Sequence, residues 1–233
     1  MSAESKATYL VATVKPWNVE AFARRTRDMP GEWHLFQSAQ ELTLETVRKI
    51  APRYVFFPHW SWKVPLEITD RYECVCFHMA DVPYGRGGSP LQNLILRGHA
   101  HTMLSALRMV EELDAGPVYL KKPLSLAGSA QEIFVRTADL AYDLMQDIVT
   151  REPVPVPQTG TPVLFERRRP EQSQLPSAGS AADLHDFVRM LDAETYPRAY
   201  LDHGAFRLEF SNARRDGDEV VAEVRIANRT NLP

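Results

Sequence analysis

Thr8-Tyr9-Leu10-Val11-Ala12-Thr13-Val14, followed by Lys15-Pro16-Trp17-Asn18, is the stretch whose reading decides the fold. The first seven residues form a β-branched, apolar run that predicts a strand. Lys15-Pro16 ends it, and Asn18 is placed to cap a helix whose inward side includes Val19, Phe22 and Ala23. A second round follows, with Trp33 to Phe36 as a short strand and Leu44, Val47 and Ile50 on one face of a helix that stops before Pro52. Arg53 to Phe57 reads as a third strand. Pro58 to Pro65 cannot easily continue it, and Glu73 to His78 forms a fourth strand after a short helical or turn segment. Strands alternating with helices at this spacing imply right-handed crossovers and a mostly parallel sheet with helices on both faces, so the fold class is α/β. Ligands of such sheets lie beyond the carboxyl ends of the strands, which directs attention to Lys15-Pro16, Pro58-His59-Trp60 and whatever follows His78.

Further along, Asp81 to Gly88 predicts a glycine-bearing loop, and Ser89-Pro90 a cap and first turn for a helix through Arg97 that Gly98 stops. Thr102 to Met109 and Pro117 to Lys121 read as two more strands around Glu111 to Gly116. Ser129 and Glu132 make a capping box for a long amphipathic helix carrying Ile133, Ala138, Ala141, Leu144, Met145 and Ile148. Six prolines between Pro153 and Pro176 favour an extended crossing, so residues 1–150 are expected to form the main domain and 151–180 a linker. Residues 181–233 are expected to form a small α+β appendage, with a helix from about Ala181 to Leu191 and strands Phe206 to Phe210 and Val220 to Ile226 joined at Arg215 to Asp218. Those strands could extend a sheet or pair with a second subunit as a homodimer, and nothing in their pattern chooses.

The composition, with 24% charged and 44% hydrophobic residues and a formal net charge of −3, is that of an ordinary globular chain and gives no footprint for nucleic acid. The first residues lack a basic region followed by an apolar stretch, and no segment has the roughly 18 uninterrupted apolar residues of a membrane span, so a cytoplasmic protein without a membrane partner is expected. Cys74 and Cys76, the only two cysteines, lie two apart on one strand, a spacing that fits neither a disulfide nor a zinc framework.

Cys74, Cys76 and His78 alternate, so they share one face of the fourth strand, and His78 stands at its carboxyl end. The histidine could serve a ligand or be a satisfied structural residue. Asp114 sits in a turn where Gly116 permits close backbone approach, which would let the carboxylate orient an imidazole; acidic turn residues are also often simply solvated.

Taken together, Cys76 to Gln92 and Glu112-Leu113-Asp114-Ala115-Gly116-Pro117 resemble the folate-dependent formyltransferase family. In that family a strand ending Asn-x-His leads into a Ser-Leu-Leu-Pro, Arg-Gly, Pro-Ile-Gln segment, and a Leu-Asp-Thr-Gly turn supplies an aspartate. The resemblance extends over most of residues 8 to 150. It implies a Rossmann-like sheet, 10-formyltetrahydrofolate as co-substrate, no metal, and catalytic roles for His78 and Asp114. His78 would stabilise the oxyanion or shuttle a proton, and Asp114 would hold His78 and the attacking amine. The family's asparagine is replaced by Cys76. Another donor, such as a backbone N–H of the Gly85 to Gly88 loop, takes over, or the donor role is weak here, or Cys76 acts as a thiolate.

By the same resemblance, Phe57, Pro58, His59, Trp60 and Trp62, with Leu113, are candidates to hold the folate. The two tryptophans could form a flat wall for a pterin or be core or interface aromatics. Tyr84, Arg86, Gly87, Gln92, Arg167 and Arg168 are candidates for the acceptor. Phe165 to Glu171 and Val188 to Pro197 look like the sugar-nucleotide branch of the family, which implies a nucleotide-linked 4-amino-4,6-dideoxy sugar as the small-molecule acceptor. The three arginines at 167–169 could clamp a diphosphate or be a solvated charge run. The tRNA-formylating members are longer and end in a basic domain, so tRNA is not the expected acceptor. Hydroxyornithine, another small amine, and a catalytically silent folate-binding relative remain as alternatives.

Overall fold

A computed structural model describes residues 6–229, so the reading of the first five residues lies outside the described residues. The chain divides into two units. One comprises the residues up to Arg86, Met103–Leu124 and Val135–Leu164; the other comprises Gly87–Thr102, Ser125–Phe134 and the residues from Phe165 onward.

The first unit is built on β1 (Thr8–Ala12), α1 (Pro16–Arg25), β2 (Glu32–Phe36), α2 (Leu44–Ile50), β3 (Tyr54–Phe57), α3 (Leu66–Thr69) and β4 (Cys74–His78). After β5 (Tyr84–Gly87) and α4 (Pro90–Leu96) come β6 (His101–Arg108), β7 (Val118–Ser125) and α5 (Ala130–Arg151). Six of these strands form one sheet in the order β2-β1-β3-β4-β6-β7. The pairs β1–β2, β1–β3 and β3–β4 are parallel, while β4–β6 is antiparallel. The α/β class is thus as expected. All four residues of β3 and four of the five in β1 are buried, because strands covered on both faces need unbroken apolar runs rather than alternation. One core cluster joins Leu10, Val47, Val55, Phe57, Val64, Ile68 and Cys74. Each fully buried side chain of this size contributes roughly 1.5–3 kcal/mol over its exposed state.

Two helix starts differ from expectation. The helix begins at Pro16 rather than at an Asn18 cap, since proline's fixed φ and missing N–H suit the first turn; Asn18 is buried inside α1, its carbonyl accepting from Tyr142 Oη at 3.1 Å. Ser89 precedes α4 but makes no capping bond. It lies at φ 49°, and its hydroxyl instead accepts the Arg168 N–H at 3.0 Å. The Ser129–Glu132 box does form, with the Glu132 N–H donating to Ser129 Oγ and the Ser129 N–H to Glu132 Oε2.

The expected glycine loop contains a strand, because Gly87 at φ 106° lets β8 (Val163–Phe165) approach; a Cβ there would lie 2.4 Å from the Phe165 carbonyl oxygen. Earlier in the proline-rich stretch, Val156 exchanges two 2.8 Å backbone bonds with Val118, on the edge strand of the sheet. The Val163 N–H donates to the Pro83 carbonyl at 3.1 Å.

In the second unit, α6 (Ala181–Arg189) is closed by a Ser180–Asp183 capping box and packs against β10 (Phe206–Asp216) and β11 (Glu219–Asn228). β9 (Ala199–His203), which local patterning did not mark, completes an antiparallel sheet in the order β11-β10-β9. The register of β10 on β11 shifts between Ser211 and Arg214. Asn212 lies there at φ 51°, its N–H donating to Asp192 Oδ2 at 2.7 Å. Among the described residues no helix is long and apolar enough to cross a membrane.

Candidate functional site

The carboxyl ends of β1, β3 and β4 meet. Phe57, the last residue of β3, is in register with Cys76, and the buried Thr13 hydroxyl beyond β1 donates to the Pro58 carbonyl at 2.7 Å. Lys15 lies over the Trp17 ring at 5.7 Å, and Trp17 meets His59 at 5.6 Å. Burial lowers the Lys15 ammonium from its usual range; burial, then the Lys15 charge, push the His59 imidazole down to about 3, so His59 is neutral. His59 takes a left-handed φ of 57°, which turns the chain sharply after the buried Pro58.

Beyond that turn, Trp60 packs against the core and stands edge-on to Phe57 at 6.0 Å and to Trp62 at 5.0 Å. Trp62 is 48% exposed. The Trp60 Nε1–H is buried and has no acceptor among the described residues, an unmet donor of the kind native proteins rarely leave. Phe57 itself is a core residue, and Leu113 is exposed.

His78 is buried at the end of β4. Its Nε2 lies 2.7 Å from the Gly85 carbonyl oxygen, and its Nδ1 lies 3.4 Å from Asp114 Oδ2. A carbonyl only accepts, so Nε2 carries a hydrogen and Nδ1 is the ring nitrogen that faces the carboxylate. The structure thus brings the His78 imidazole and the Asp114 carboxylate into contact. Asp114 takes φ 54°, and Gly116 passes so close to Arg108 that a Cβ would lie 1.7 Å from its carbonyl oxygen. The Gln158 amide holds this turn, donating at 2.8 Å to the carbonyls of both Asp114 and Gly116.

Cys76 lies on the same strand two residues before His78. Burial, then the Asp114 charge, push its thiol up to about 12, so it is a neutral S–H and the thiolate reading has no electrostatic support. Of the loop amides considered as substitutes for the family's asparagine, Gly88 N–H is engaged by the Phe165 carbonyl at 3.0 Å.

The candidate acceptor residues divide between the two units. Arg86 is buried in the first unit, where Nε donates to Gln158 Oε1 at 3.0 Å and Nη1 to Glu112 Oε1 at 3.3 Å. Tyr84 shares β5 with it, and its N–H bonds the Asp81 carbonyl. Gly87, Gln92, Arg167 and Arg168 belong to the second unit. Gln92 is buried, donating to the Met190 carbonyl at 3.1 Å, a bracing bond inside that unit. Arg168 lies over the Phe187 ring at 5.7 Å and bonds the Gln172 carbonyl, while Arg167 is exposed beside Gly88. Gln158 escaped the sequence reading because nothing local marks a glutamine in a proline-rich stretch as the partner of a turn 44 residues away. Among the described residues no cluster of His, Cys, Asp and Glu could hold a metal ion.

The family described as "Methionyl-tRNA formyltransferase, C-terminal domain" matches residues 170–227. A solved structure of a methionyl-tRNA formyltransferase from Clostridium thermocellum is 40% identical, with a TM-score of 0.92, over 95% of this chain and 99% of that one. A methionyl-tRNA formyltransferase of Thermus thermophilus is 27% identical over 79% of this chain and 63% of its own length. A sugar N-formyltransferase from a Shewanella species shares the fold at 16% identity, with a TM-score of 0.63 over 93% of this chain and 96% of that one. The chain spans from 36% to 63% of the length of the first curated relatives it matches. With the strand-end histidine, the aspartate turn and near-complete coverage of a 40% identical relative, the chain belongs to the formyltransferase family and carries the C-terminal domain described for its methionyl-tRNA formyltransferases.

Proposed function

We propose that the protein transfers a formyl group from 10-formyltetrahydrofolate to the amine of a small acceptor, a nucleotide-linked 4-amino-4,6-dideoxy sugar. The observation that carries the formyl-transfer reading is the buried His78–Asp114 contact at the carboxyl end of β4. The neutral amine attacks the formyl carbon, a tetrahedral oxyanion forms, the bond to folate N10 breaks, and the proton lost by the amine is balanced by one gained at N10. His78 donates to the oxyanion through its Nε2–H, which exchanges the Gly85 carbonyl for the substrate oxygen, and relays the proton. Asp114 keeps the imidazole oriented and balances its charge. The exposed Trp62 ring, backed edge-on by Trp60, suits a flat heterocycle, which fits a pterin.

The small acceptor is supported by charge. Residues 170–233 contain seven arginines, no lysine and eleven carboxylates, which disfavours a polyanion as long as tRNA. A diphosphate needs only a local cluster, and Arg167 and Arg169 are exposed beside Arg168. A second reading, methionyl-tRNA as acceptor, is favoured by the C-terminal domain match and the 40% identical relative. Incubation with 10-formyltetrahydrofolate and UDP- and dTDP-linked amino sugars, hydroxyornithine, methionyl-tRNA or no acceptor separates these readings by tetrahydrofolate release and acceptor mass. A gain of one formyl group on a sugar nucleotide is expected. Formylation of methionyl-tRNA alone overturns the acceptor, and release of formate without acceptor overturns transfer.

A further inference from the structure

Four contacts in the first unit close into a ring. His78 Nε2 donates to the Gly85 carbonyl at 2.7 Å; the next residue, Arg86, donates through Nε to Gln158 Oε1 at 3.0 Å; Gln158 Nε2 donates to the Asp114 carbonyl at 2.8 Å; and Asp114 Oδ2 returns to His78 Nδ1 at 3.4 Å. A second 2.8 Å bond from the same amide to the Gly116 carbonyl fixes the turn on its far side. Gln158 reaches this place because the exchange of backbone bonds between Val156 and Val118 lays the proline-rich stretch along the sheet edge, two residues before the amide is needed.

The chemistry of the ring singles out a carboxamide. Arg86 supplies only donors, and the Asp114 and Gly116 carbonyls only accept, so the linking side chain must accept at one end and donate twice at the other. Glutamate supplies no donor when ionised, lysine supplies no acceptor, and alanine supplies neither. The turn it holds is under backbone strain, with Asp114 in the left-handed region, a conformation that persists only where surrounding bonds over-determine it.

We infer that Gln158 is a positioning residue for the His78–Asp114 pair, setting the carboxylate against the imidazole through the Asp114 turn on one side and through Arg86 and the Gly85 carbonyl on the other. The inference rests on the formyl-transfer reading of that pair. Loss of such positioning lowers turnover without removing any group that touches substrate, and misplacement by about 1 Å costs on the order of 10²-fold in rate.

The test compares Gln158→Ala and Gln158→Glu with the wild type in two measurements. The first is steady-state formyl transfer at saturating folate and acceptor, with kcat corrected for the folded fraction. The second is the imidazole ¹⁵N and ¹H spectrum of His78 as a function of pH, assigned by its disappearance in His78→Gln. Both variants are expected to lose about 10–100-fold in kcat while the folate KM stays within about threefold. In both, the His78 ring-nitrogen resonances shift. Glutamate fails like alanine because its carboxylate faces two carbonyl oxygens. Wild-type kcat in Gln158→Glu, a loss that vanishes after correction for folded fraction, or unchanged His78 resonances in both variants would each overturn the inference. A wild type that forms no formylated product with any acceptor overturns the formyl-transfer reading instead, and the spectrum then decides the role of Gln158 by itself.

Discussion

His78 and Trp60 stand at or just beyond the carboxyl ends of neighbouring parallel strands, and they are held in opposite ways. Both His78 nitrogens have partners, and the Asp114 turn beside it is pinned by Gln158 and by the close passage of Gly116 over Arg108. Trp60 keeps a buried N–H without an acceptor among the described residues, and its neighbour Trp62 is half-exposed. The first arrangement is held on both edges of the ring, so under the proposed function only the Nε2–H has to change partner when charge develops. The second has contact capacity left over at the Trp62 ring, which a ligand could cover. Under the proposed function, the same sheet end combines a firmly held reacting pair with an aromatic wall that a folate would complete.

The comparison breaks most visibly at the pair itself. His78→Ala is expected to lower kcat/KM by about 10³-fold, far beyond what its lower melting temperature explains once rates are corrected for the folded fraction, read from tetrahydrofolate release and thermal denaturation. Retention of more than a tenth of the activity would remove His78 from the reacting centre. Next in size is Gly116→Ala. The added Cβ meets a backbone carbonyl at 1.7 Å and cannot be relieved by a rotamer change, so the turn has to move. A cost of about 1–3 kcal/mol in denaturant unfolding and a loss of about tenfold or more in kcat are expected together. Unchanged kcat would mean that the turn tolerates displacement and is not preorganised.

Trp60 tests the other side. Trp60→Phe retains a ring but loses the N–H, whereas Trp60→Leu loses both. The folate KM should rise about threefold and about tenfold respectively, with kcat nearly constant, as removal of binding shared by ground and transition states predicts. Equal effects of the two substitutions would place the value of Trp60 in its N–H alone. Beside it, His59 contributes to acid sensitivity. Its folded imidazole titrates near 3, below the ordinary 6.5, so as pH falls through about 6.5 the unfolded chain takes up the proton first and the fold loses stability progressively toward pH 3. His59→Asn, which tolerates the left-handed φ, should therefore flatten the decline of melting temperature between pH 6.5 and 4. A parallel decline in both proteins would assign the acid sensitivity elsewhere.

The parts of this arrangement differ in how far the sequence discloses them. The parallel strands were legible because burial on both faces imposes long apolar runs, and His78 and Asp114 were legible because a strand end and a glycine turn fix where their side chains project. Asn18, Ser89 and β9 were not. A capping residue type says nothing of whether proline takes the first turn or whether a backbone N–H such as that of Arg168 arrives to claim the hydroxyl. A short strand such as β8 exists only because β5 lies beside it. Gln158 is the extreme case, since its meaning resides entirely in the acceptors and the donor that other segments bring to it.

Cys76 gives the smallest expected change and the finest distinction. It shares a strand face with His78, but a thiol pushed up to about 12 stays protonated at neutral pH and offers only a weak S–H donor. If the oxyanion is stabilised by the His78–Asp114 pair, Cys76→Ala should cost less than about fivefold in kcat, far below the loss in His78→Ala. Cys76→Asn should raise kcat severalfold by restoring a carboxamide donor, provided its larger side chain fits beside Phe57 and the Asp114 turn. A loss in Cys76→Ala as large as in His78→Ala would put the S–H inside the reacting centre. The preorganised side of the site would then extend down β4 to the residue that packs against the same core as Trp60, and the two sides would no longer be separable.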